Sequence, residues 1–268
     1  MGSVVIFRGH LPDDVTDALA RAGARLGAFT QISWHDEVGS TNDLAMAAAT
    51  NGASEGLVIA ANSQLSGRGR LGRTWASPPG AGLYVSVVLH PSREALSLIT
   101  IAAGVAVAEG IEAASGLRAG VKWPNDVYVG GRKLAGILAE AGSSSSAEHV
   151  VLGFGINLQP AALPPEVAAR ATSIESELGR TADRGLVLAE CLAALHNRYE
   201  ALQHHRGASV IDAWRSRAEQ HLGRSVEWDA DAGVRHGIAH DIDSTGALLV
   251  RVGEQIVRVI SGEVRWVS

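Results

Sequence analysis

One cysteine, Cys191, stands in 268 residues, and a lone thiol closes no intrachain disulfide, so a disulfide-stapled scaffold is excluded. Aromatic residues make up only 4% of the chain, so the interior has to be assembled from Ala, Val, Leu and Ile. Long apolar runs are missing too. The longest, Leu96 to Ala108, is broken by Ser97, Thr100 and Gly104 and followed by Glu109, short of the roughly 18 to 20 apolar residues of a membrane-crossing helix. There is no basic excess: 23 Lys and Arg against 28 Asp and Glu leave a net charge of −5. That weighs against a chain-wide nucleic-acid surface, and any cationic site has to be local. Met1-Gly2-Ser3 opens no basic stretch with an apolar run behind it, so no secretory leader is expected and the expected address is cytoplasmic.

What is present suffices for a large core. Hydrophobic residues are 46% and charged residues 19%, which excludes a wholly disordered chain and suits one large domain or two unequal ones. Residues 1–32, with a short apolar piece at Val4–Phe7 and a helical-looking Asp13–Leu26, read as a small appendage. Ser40-Thr41-Asn42-Asp43 before an alanine-rich run has the shape of a capping box, so a helix is expected to start there. Strands are expected at Leu57–Ala61, Leu83–Leu89, Val127–Val129, Lys133–Ala139 and Val150–Leu158, the last carrying Gly153 and Gly155. Helices are expected over Leu96–Ala114, Leu186–Gln203 and Val210–Ala218. Gly130-Gly131 fits a two-residue hairpin turn, and Gly142–Ser146 and Pro160–Pro165 read as loops. From about residue 222 the pattern changes to short alternating segments, with turns at Asp231-Ala232-Gly233, Ser244-Thr245-Gly246 and Val252-Gly253. This predicts a small all-β module over 222–268.

Three segments carry chemistry. Gly67-Arg68-Gly69-Arg70-Leu71-Gly72-Arg73 contains G-x-G-x-x-G, but no strand runs into it and Trp75-Ala76-Ser77-Pro78-Pro79 cannot open a helix behind it, so the dinucleotide-fold reading fails. What remains is a glycine loop with three arginines. Such a loop can wrap a polyanion with guanidinium forks and backbone N–H groups; its lesser alternatives are a merely flexible surface loop and an RGG-like segment. Trp75 beside it offers a stacking face or a core side chain. Lys122-Trp123-Pro124-Asn125-Asp126 sets a lysine close to a carboxylate. That pair suits a phosphate and its Mg²⁺, and also an ordinary Asn-Asp turn with a solvated lysine. In Arg132-Lys133-Leu134-Ala135-Gly136-Ile137-Leu138, two-fold alternation places Lys133, Ala135 and Ile137 on one face. The lysine there either meets an anion or guards an exposed strand edge.

Taken in this order, with Ser40-Thr41-Asn42 upstream and Gly153-Phe154-Gly155-Ile156-Asn157 downstream, these segments closely resemble the biotin protein ligases over roughly residues 33–268. The resemblance implies a mixed α/β (α+β) catalytic domain with a central mixed sheet over 33–221, followed by a small SH3-like barrel over 222–268. It implies biotin and ATP as substrates with Mg²⁺, formation of biotinyl-5′-AMP and pyrophosphate, and transfer to a lysine of a biotin carboxyl carrier domain of an acetyl-CoA, acyl-CoA or pyruvate carboxylase.

By the same likeness, Lys133 is the catalytic lysine and Arg70 holds the adenylate. Ser40, Thr41, Asn42, Gln64, Gly67, Arg68, Gly136 and Gly153 surround biotin, with Lys133 bridging its carboxyl group. Arg68, Arg73, Trp75, Lys122, Asn125 and Asn157, with Arg70, belong to the nucleotide, Trp75 by stacking on adenine and Asn157 by reading it. Asp126 is the candidate Mg²⁺ ligand. Gln64–Pro79 is expected to be disordered without ligand and ordered with the adenylate. Some family members add a winged-helix repressor domain; about 32 residues are too few for one, so DNA binding is not expected, nor is a membrane partner. A monomer, or a dimer formed weakly with ligand, is expected. The competing enzyme is a lipoate or octanoate ligase or transferase, against which the polar Ser40, Thr41, Asn42 and Gln64 argue for a ureido head. A non-catalytic nucleotide-binding or RNA-binding module is the other reading. Cys191 and the pair His204-His205, with His236 and His240, read as packing or solvated side chains.

Overall fold

The computed structural model describes residues 6–8, 10–143, 148–230, 233–260 and 262–267. Its apolar runs pair into an eight-stranded sheet of β1 (Ile6–Arg8), β2 (Gln31–His35), β3 (Leu57–Ala61), β4 (Gly82–Leu89), β5 (Gly120–Lys122), β6 (Asp126–Val129), β7 (Arg132–Ser143) and β8 (Glu148–Asn157). The spatial order is β1-β2-β3-β4-β8-β7-β6-β5. Strands β1 to β3 run parallel and the other pairings are antiparallel. The helices are α1 (Asp13–Ala22), α2 (Thr41–Thr50), α3 (Arg93–Leu96), α4 (Ile99–Ser115), α5 (Ile174–Leu178), α6 (Arg184–Gln203) and α7 (Gly207–Ala218).

The central strands are apolar at both parities because both sheet faces are covered there. Val85, Val87, Leu152 and Ile156 enter the main core with α4 and α6, while Val88, Val151 and Ile59 meet Ala45 and Ala49 of α2 on the opposite face. Ten-residue α2 covers only part of that second face. The uncovered part becomes a cleft.

Several expectations change in the folded chain. Residues expected as an appendage supply edge strand β1 and helix α1, whose Val15, Ala18, Leu19 and Ala22 are buried in the main core. Of the apolar piece at Val4–Phe7, Val4 and Val5 lie outside the described residues, as do most of the Gly142–Ser146 loop and two positions of the turn at Asp231. Strand β2 falls between the expected elements; five residues of alternation, Gln31 to His35, are a short signal, and pairing on both sides makes it a strand. Ser40 does occupy the N-cap of α2 but makes no capping bond. Instead the Thr41 N–H donates to Gln64 Oε1 at 2.9 Å, and Asp43 reaches Arg68 rather than turning back to Ser40.

Lys133, Ala135 and Ile137 do not share a face either. The β6–β7 register shifts between the pairs Val127↔Ala135 and Tyr128↔Lys133, so Leu134 is an extra, bulged residue. Leu134, Ala135 and Ile137 all enter the main core. Lys133 swings to the other face, with its Nζ 3.4 Å from where a Cβ on Gly136 would stand. The hairpin itself is as expected: Gly130 and Gly131 have φ of 57° and 77°, values a two-residue hairpin turn demands.

The C-terminal module is an antiparallel five-stranded sheet of β9 (Ser225–Ala230), β10 (Gly233–Ile242), β11 (Leu248–Val252), β12 (Gln255–Val259) and β13 (Val264–Trp266), in the order β12-β11-β10-β9-β13. It docks on the main domain, where buried Trp123 donates from Nε1 to Gly246 O at 2.9 Å.

Helix α4 packs closely on α6. A Cβ at Gly110 would lie 2.5 Å from the backbone of Cys191, whereas one at Gly104 on the same helix meets nothing nearer than 4.0 Å. Gly110→Ala should therefore cost about 1–3 kcal/mol in urea unfolding, while Gly104→Ala should leave stability equal or raise it by up to ~1 kcal/mol. Equal midpoints for the two variants would refute this account of the packing.

Candidate active site

The cleft on the partly covered sheet face has a volume of about 730 Å³. The helix α2 N-terminus, the arginine loop, β7, β8, the β5–β6 turn and the end of the C-terminal module all line it. Seven cationic side chains border it, Arg68, Arg70, Arg73, Lys122, Lys133, Arg170 and Arg265, against two anionic ones, Asp126 and Glu263. A chain of net charge −5 thus concentrates positive charge in one place, which is the arrangement that draws in a polyanion.

The uncharged end is a hydrogen-bonded relay. Buried Ser40, Thr41 and Asn42 come from the start of α2. Gln64 Oε1 accepts from the Thr41 N–H, with Thr41 Oγ1 3.1 Å away, and Gln64 Nε2 donates to Ser77 Oγ at 2.8 Å. Ser86 on β4 lies with its Oγ 2.8 Å from Thr41 Oγ1 and donates to Asn42 Oδ1 at 2.6 Å. Gly153 has to be glycine here, because a Cβ would stand 2.1 Å from Asn42 Oδ1.

At the charged end, Lys133 Nζ forms an ion pair with Asp126 Oδ1 at 2.6 Å. Asn125 accepts from Arg70 Nη1 at 3.3 Å and donates to Ile137 O at 2.7 Å, which fastens the turn to β7. Burial lowers the pKa of Arg70 and of Lys122; for Lys122 the Asp126 charge works against that effect and the Lys133 charge adds to it. Lys122 Nζ sits 5.0 Å from the Tyr128 ring centre and 4.8 Å from that of Trp266, so a strand of the C-terminal module supplies one wall of its cage. Arg73 pairs with Glu263 at 2.5 Å and ties the arginine loop to the same module.

Every candidate from the sequence lines the cleft except Gly67. Gly67 stands at the loop's neck, where a Cβ would come within 2.4 Å of Trp75 O and 2.6 Å of Ser77 Oγ. The loop takes a defined path: Gly69 N–H donates to Arg73 O at 2.7 Å and Trp75 N–H to Gly67 O at 2.9 Å, closing it on itself. Trp75 lies over the glycine strip, since Cβ atoms on Gly136 and Gly155 would be 3.0 and 2.5 Å from its indole. Its Nε1 is buried without a hydrogen-bond partner, a group that an acceptor on a ligand would satisfy. Asn157 donates its amide to Thr172 O at 3.0 Å.

The sequence reading misses Ser86, Glu140, Arg170, Glu263 and Trp266, all but Glu140 brought in from distant elements. Of these only Glu140, in phase with Gly136 and Leu138 on β7, carries a local signal. Among the described residues no three His, Cys, Asp or Glu side chains gather to hold a metal, and Asp126 already faces Lys133.

The chain's similarities fit this geometry. Residues 36–157 match the biotin/lipoate A/B protein ligase family and residues 221–265 match the biotin protein ligase C-terminal domain. A biotin–[acetyl-CoA-carboxylase] ligase of Mycobacterium tuberculosis is 36% identical over 264 residues, covering 92% of each chain. The chain belongs to the biotin protein ligase family. A bifunctional ligase/repressor BirA of Bacillus subtilis is 32% identical across 94% of this chain and 79% of its own. Among solved structures, the Aquifex aeolicus biotin protein ligase in complex with biotin and ATP superposes with a TM-score of 0.78 at 30% identity, over 89% of this chain and 99% of that one. The mixed α/β fold with its C-terminal sheet is thus that of the family. No helix among the described residues is long and apolar enough to cross a membrane.

One titratable group lies at the junction of the family's two domains. His221 packs edge-on against Tyr128 and Trp266, with centroids 5.3 and 6.0 Å away. Burial, with Lys122 and Arg224 nearby, pulls its pKa down to about 4 from 6.5. The unfolded chain then takes up this proton at a higher pH than the native one. His221's stabilising share is whole above pH 6.5 and is lost as pH falls toward 4, by up to about 3 kcal/mol. His221→Phe should flatten the fall in melting temperature over that interval; an unchanged slope would show that His221 is not its source.

Proposed function

We propose that this chain activates biotin with ATP and passes it to a lysine of a biotin carboxyl carrier domain, as on an acetyl-CoA, acyl-CoA or pyruvate carboxylase. The observation that carries this reading is the polarity of the cleft: a neutral relay of donors and acceptors at one end, and a cationic cluster with Lys133, Arg70, Lys122 and Arg170 at the other, where Lys133 pairs with Asp126. A ureido ring with an acyl tail and a nucleotide triphosphate need those two ends. In this reading the catalytic domain runs to residue 221, with β1 and α1 packed into it, and the barrel from 222 to 268.

Ser40, Thr41, Asn42 and Gln64 hold the ureido head, and the acyl chain lies along Gly136 and Gly153, where the absence of side chains leaves room. The carboxylate oxygen attacks the α-phosphorus, the bond to the bridging oxygen breaks, and pyrophosphate leaves with the electron pair. Two anions must meet, so the barrier is chiefly electrostatic. Lys133 lowers it by contacting both the carboxylate and the α-phosphate, exchanging its Asp126 partner for theirs. Arg70 neutralises the phosphate side, and Lys122 and Arg170 offset the charge on the departing pyrophosphate. Mg²⁺ enters as part of the nucleotide substrate. Trp75 stacks on the base, Asn157 reads its edge, and Arg68 and Arg73 steady the loop above it. In the second half-reaction the amine of the carrier lysine attacks the acyl carbon, AMP leaves, and a proton is released. Closure of the arginine loop keeps water from the mixed anhydride.

Lys133→Ala should slow biotin-dependent pyrophosphate release by at least ~10²-fold while the melting temperature holds, and Arg70→Gly should release free biotinyl-AMP in excess of carrier biotinylated. Lipoate in place of biotin should yield no pyrophosphate. Full turnover by Lys133→Ala, or equal turnover of lipoate, would overturn the proposal.

A further inference from the structure

Glu140 belongs to none of the roles above, yet it sits where several of them meet. It projects from β7 on the cleft side, opposite Val151 in register, with its side chain 29% exposed. Its Oε2 accepts from Asn42 Nδ2 at 2.7 Å and from Arg68 Nη2 at 2.8 Å. Arg68 Nη2 also lies 2.7 Å from Asp43 Oδ1. One carboxylate therefore joins the start of α2, the arginine loop and the sheet.

The first of these bonds sets a direction. An ionised carboxylate only accepts, so it fixes the Nδ2 side of the Asn42 amide toward itself and turns Oδ1 toward the Ser86 hydroxyl. Ser86, donating its one proton to Asn42, can only accept from Thr41 Oγ1 2.8 Å away, so the Thr41 hydroxyl is turned to Ser86, while Gln64 Oε1 is held by the Thr41 N–H and Gln64 Nε2 donates to Ser77. The donor and acceptor pattern at the neutral end of the cleft thus starts from Glu140. The second bond holds the loop: Arg68 is fastened by charge at Glu140 and Asp43, while the loop's neck is fastened through Gln64, Ser77 and the carbonyl of Trp75, to which Ser77 Oγ donates at 3.1 Å.

We propose that Glu140 is a positioning residue that orients the Asn42-Ser86-Thr41-Gln64 relay toward the ligand's polar head and latches the arginine loop over it through Arg68. The relay half of this inference rests on the biotin reading; the latch half does not. Glu140→Gln keeps the size but adds a donor, which permits the Asn42 amide to turn and removes the charge that holds Arg68. Asp43→Asn removes only the outer half of the latch and leaves the relay intact.

The experiment combines steady-state pyrophosphate release with hydrogen exchange of residues 64–79 in protein saturated with biotin. Glu140→Gln should raise the KM for biotin roughly tenfold to a hundredfold, as loss of a charge-assisted hydrogen bond does, with a smaller rise in the KM for ATP, and should speed exchange in the loop. Asp43→Asn should speed loop exchange while the KM for biotin stays within twofold. If Glu140→Gln raises both KM values equally, or leaves loop exchange at the wild-type rate, the inference fails. If the Asp43→Asn loop exchanges no faster than wild type, the latch fails. Absence of biotin-dependent pyrophosphate release by the wild type would sink the biotin reading, and the exchange rates would still judge the latch.

Discussion

Cations crowded into a half-buried cleft repel one another, and they are held there only because the surrounding fold is stable enough to bear it. Lys133 disfavours the charge on Lys122, Arg73 does the same to Arg70, and burial weakens the solvation of both Lys122 and Arg70. The Asp126 carboxylate relieves part of this repulsion by pairing with Lys133. A triphosphate would relieve much more. Charge that is preorganised, and already partly stripped of water, requires little rearrangement when a negatively charged transition state forms. The sheet, the bulge and the docked barrel all serve to keep that unfavourable cluster in place.

Much of this was legible in the chain because the site is built from three local segments. Gly67 to Arg73, Lys122 to Asp126 and Arg132 to Leu138 each announce their chemistry by composition, and each reaches the cleft. What local pattern could not supply is contact between elements far apart in sequence. Ser86 is an ordinary serine in an apolar strand until α2 folds across it and Asn42 accepts its proton. Arg170 sits in a proline-containing loop and lines the cleft only because the Lys133 backbone pairs with that segment, accepting from Thr172 N–H at 2.8 Å and donating to Arg170 O at 3.0 Å. Capping chemistry at Ser40 was misleading for a related reason: a distant glutamine satisfies the helix's first N–H and frees the hydroxyl to face the cleft.

The C-terminal module has a physical stake in the nucleotide end. Trp266 covers Lys122, Glu263 holds Arg73, and Trp123 of the KWPND turn donates to a carbonyl of the module. Three contacts of different kind, cation–π, ionic and hydrogen-bonding, fall on three residues of the two cationic segments. A barrel tethered only for stability would be expected to bury apolar area away from the chemistry. Here its last strand closes one wall of the cleft, so displacing it would expose Lys122 to water and loosen the arginine loop together.

The bulge at Leu134 shows how one residue decides the site. In regular alternation Lys133 would follow Ala135 and Ile137 into a core lined by α4, where an ammonium has no partner and would be forced to lose its proton. Inserting Leu134 spends the extra residue on core packing, reverses the phase, and delivers Lys133 to the opposite face beside Gly136. On the side away from β6, β8 pairs with β7 only from Ala135 onward, and the 170–172 segment takes up both backbone groups of Lys133. The bulge therefore places the lysine, and the end of the β8 ladder brings Arg170 to the cleft's edge. A hydrophobic pattern alone reads GRKLAGIL as a strand with a lysine on its inner face; the inner face it reaches is that of the cleft, and the difference between the two is a single residue of register.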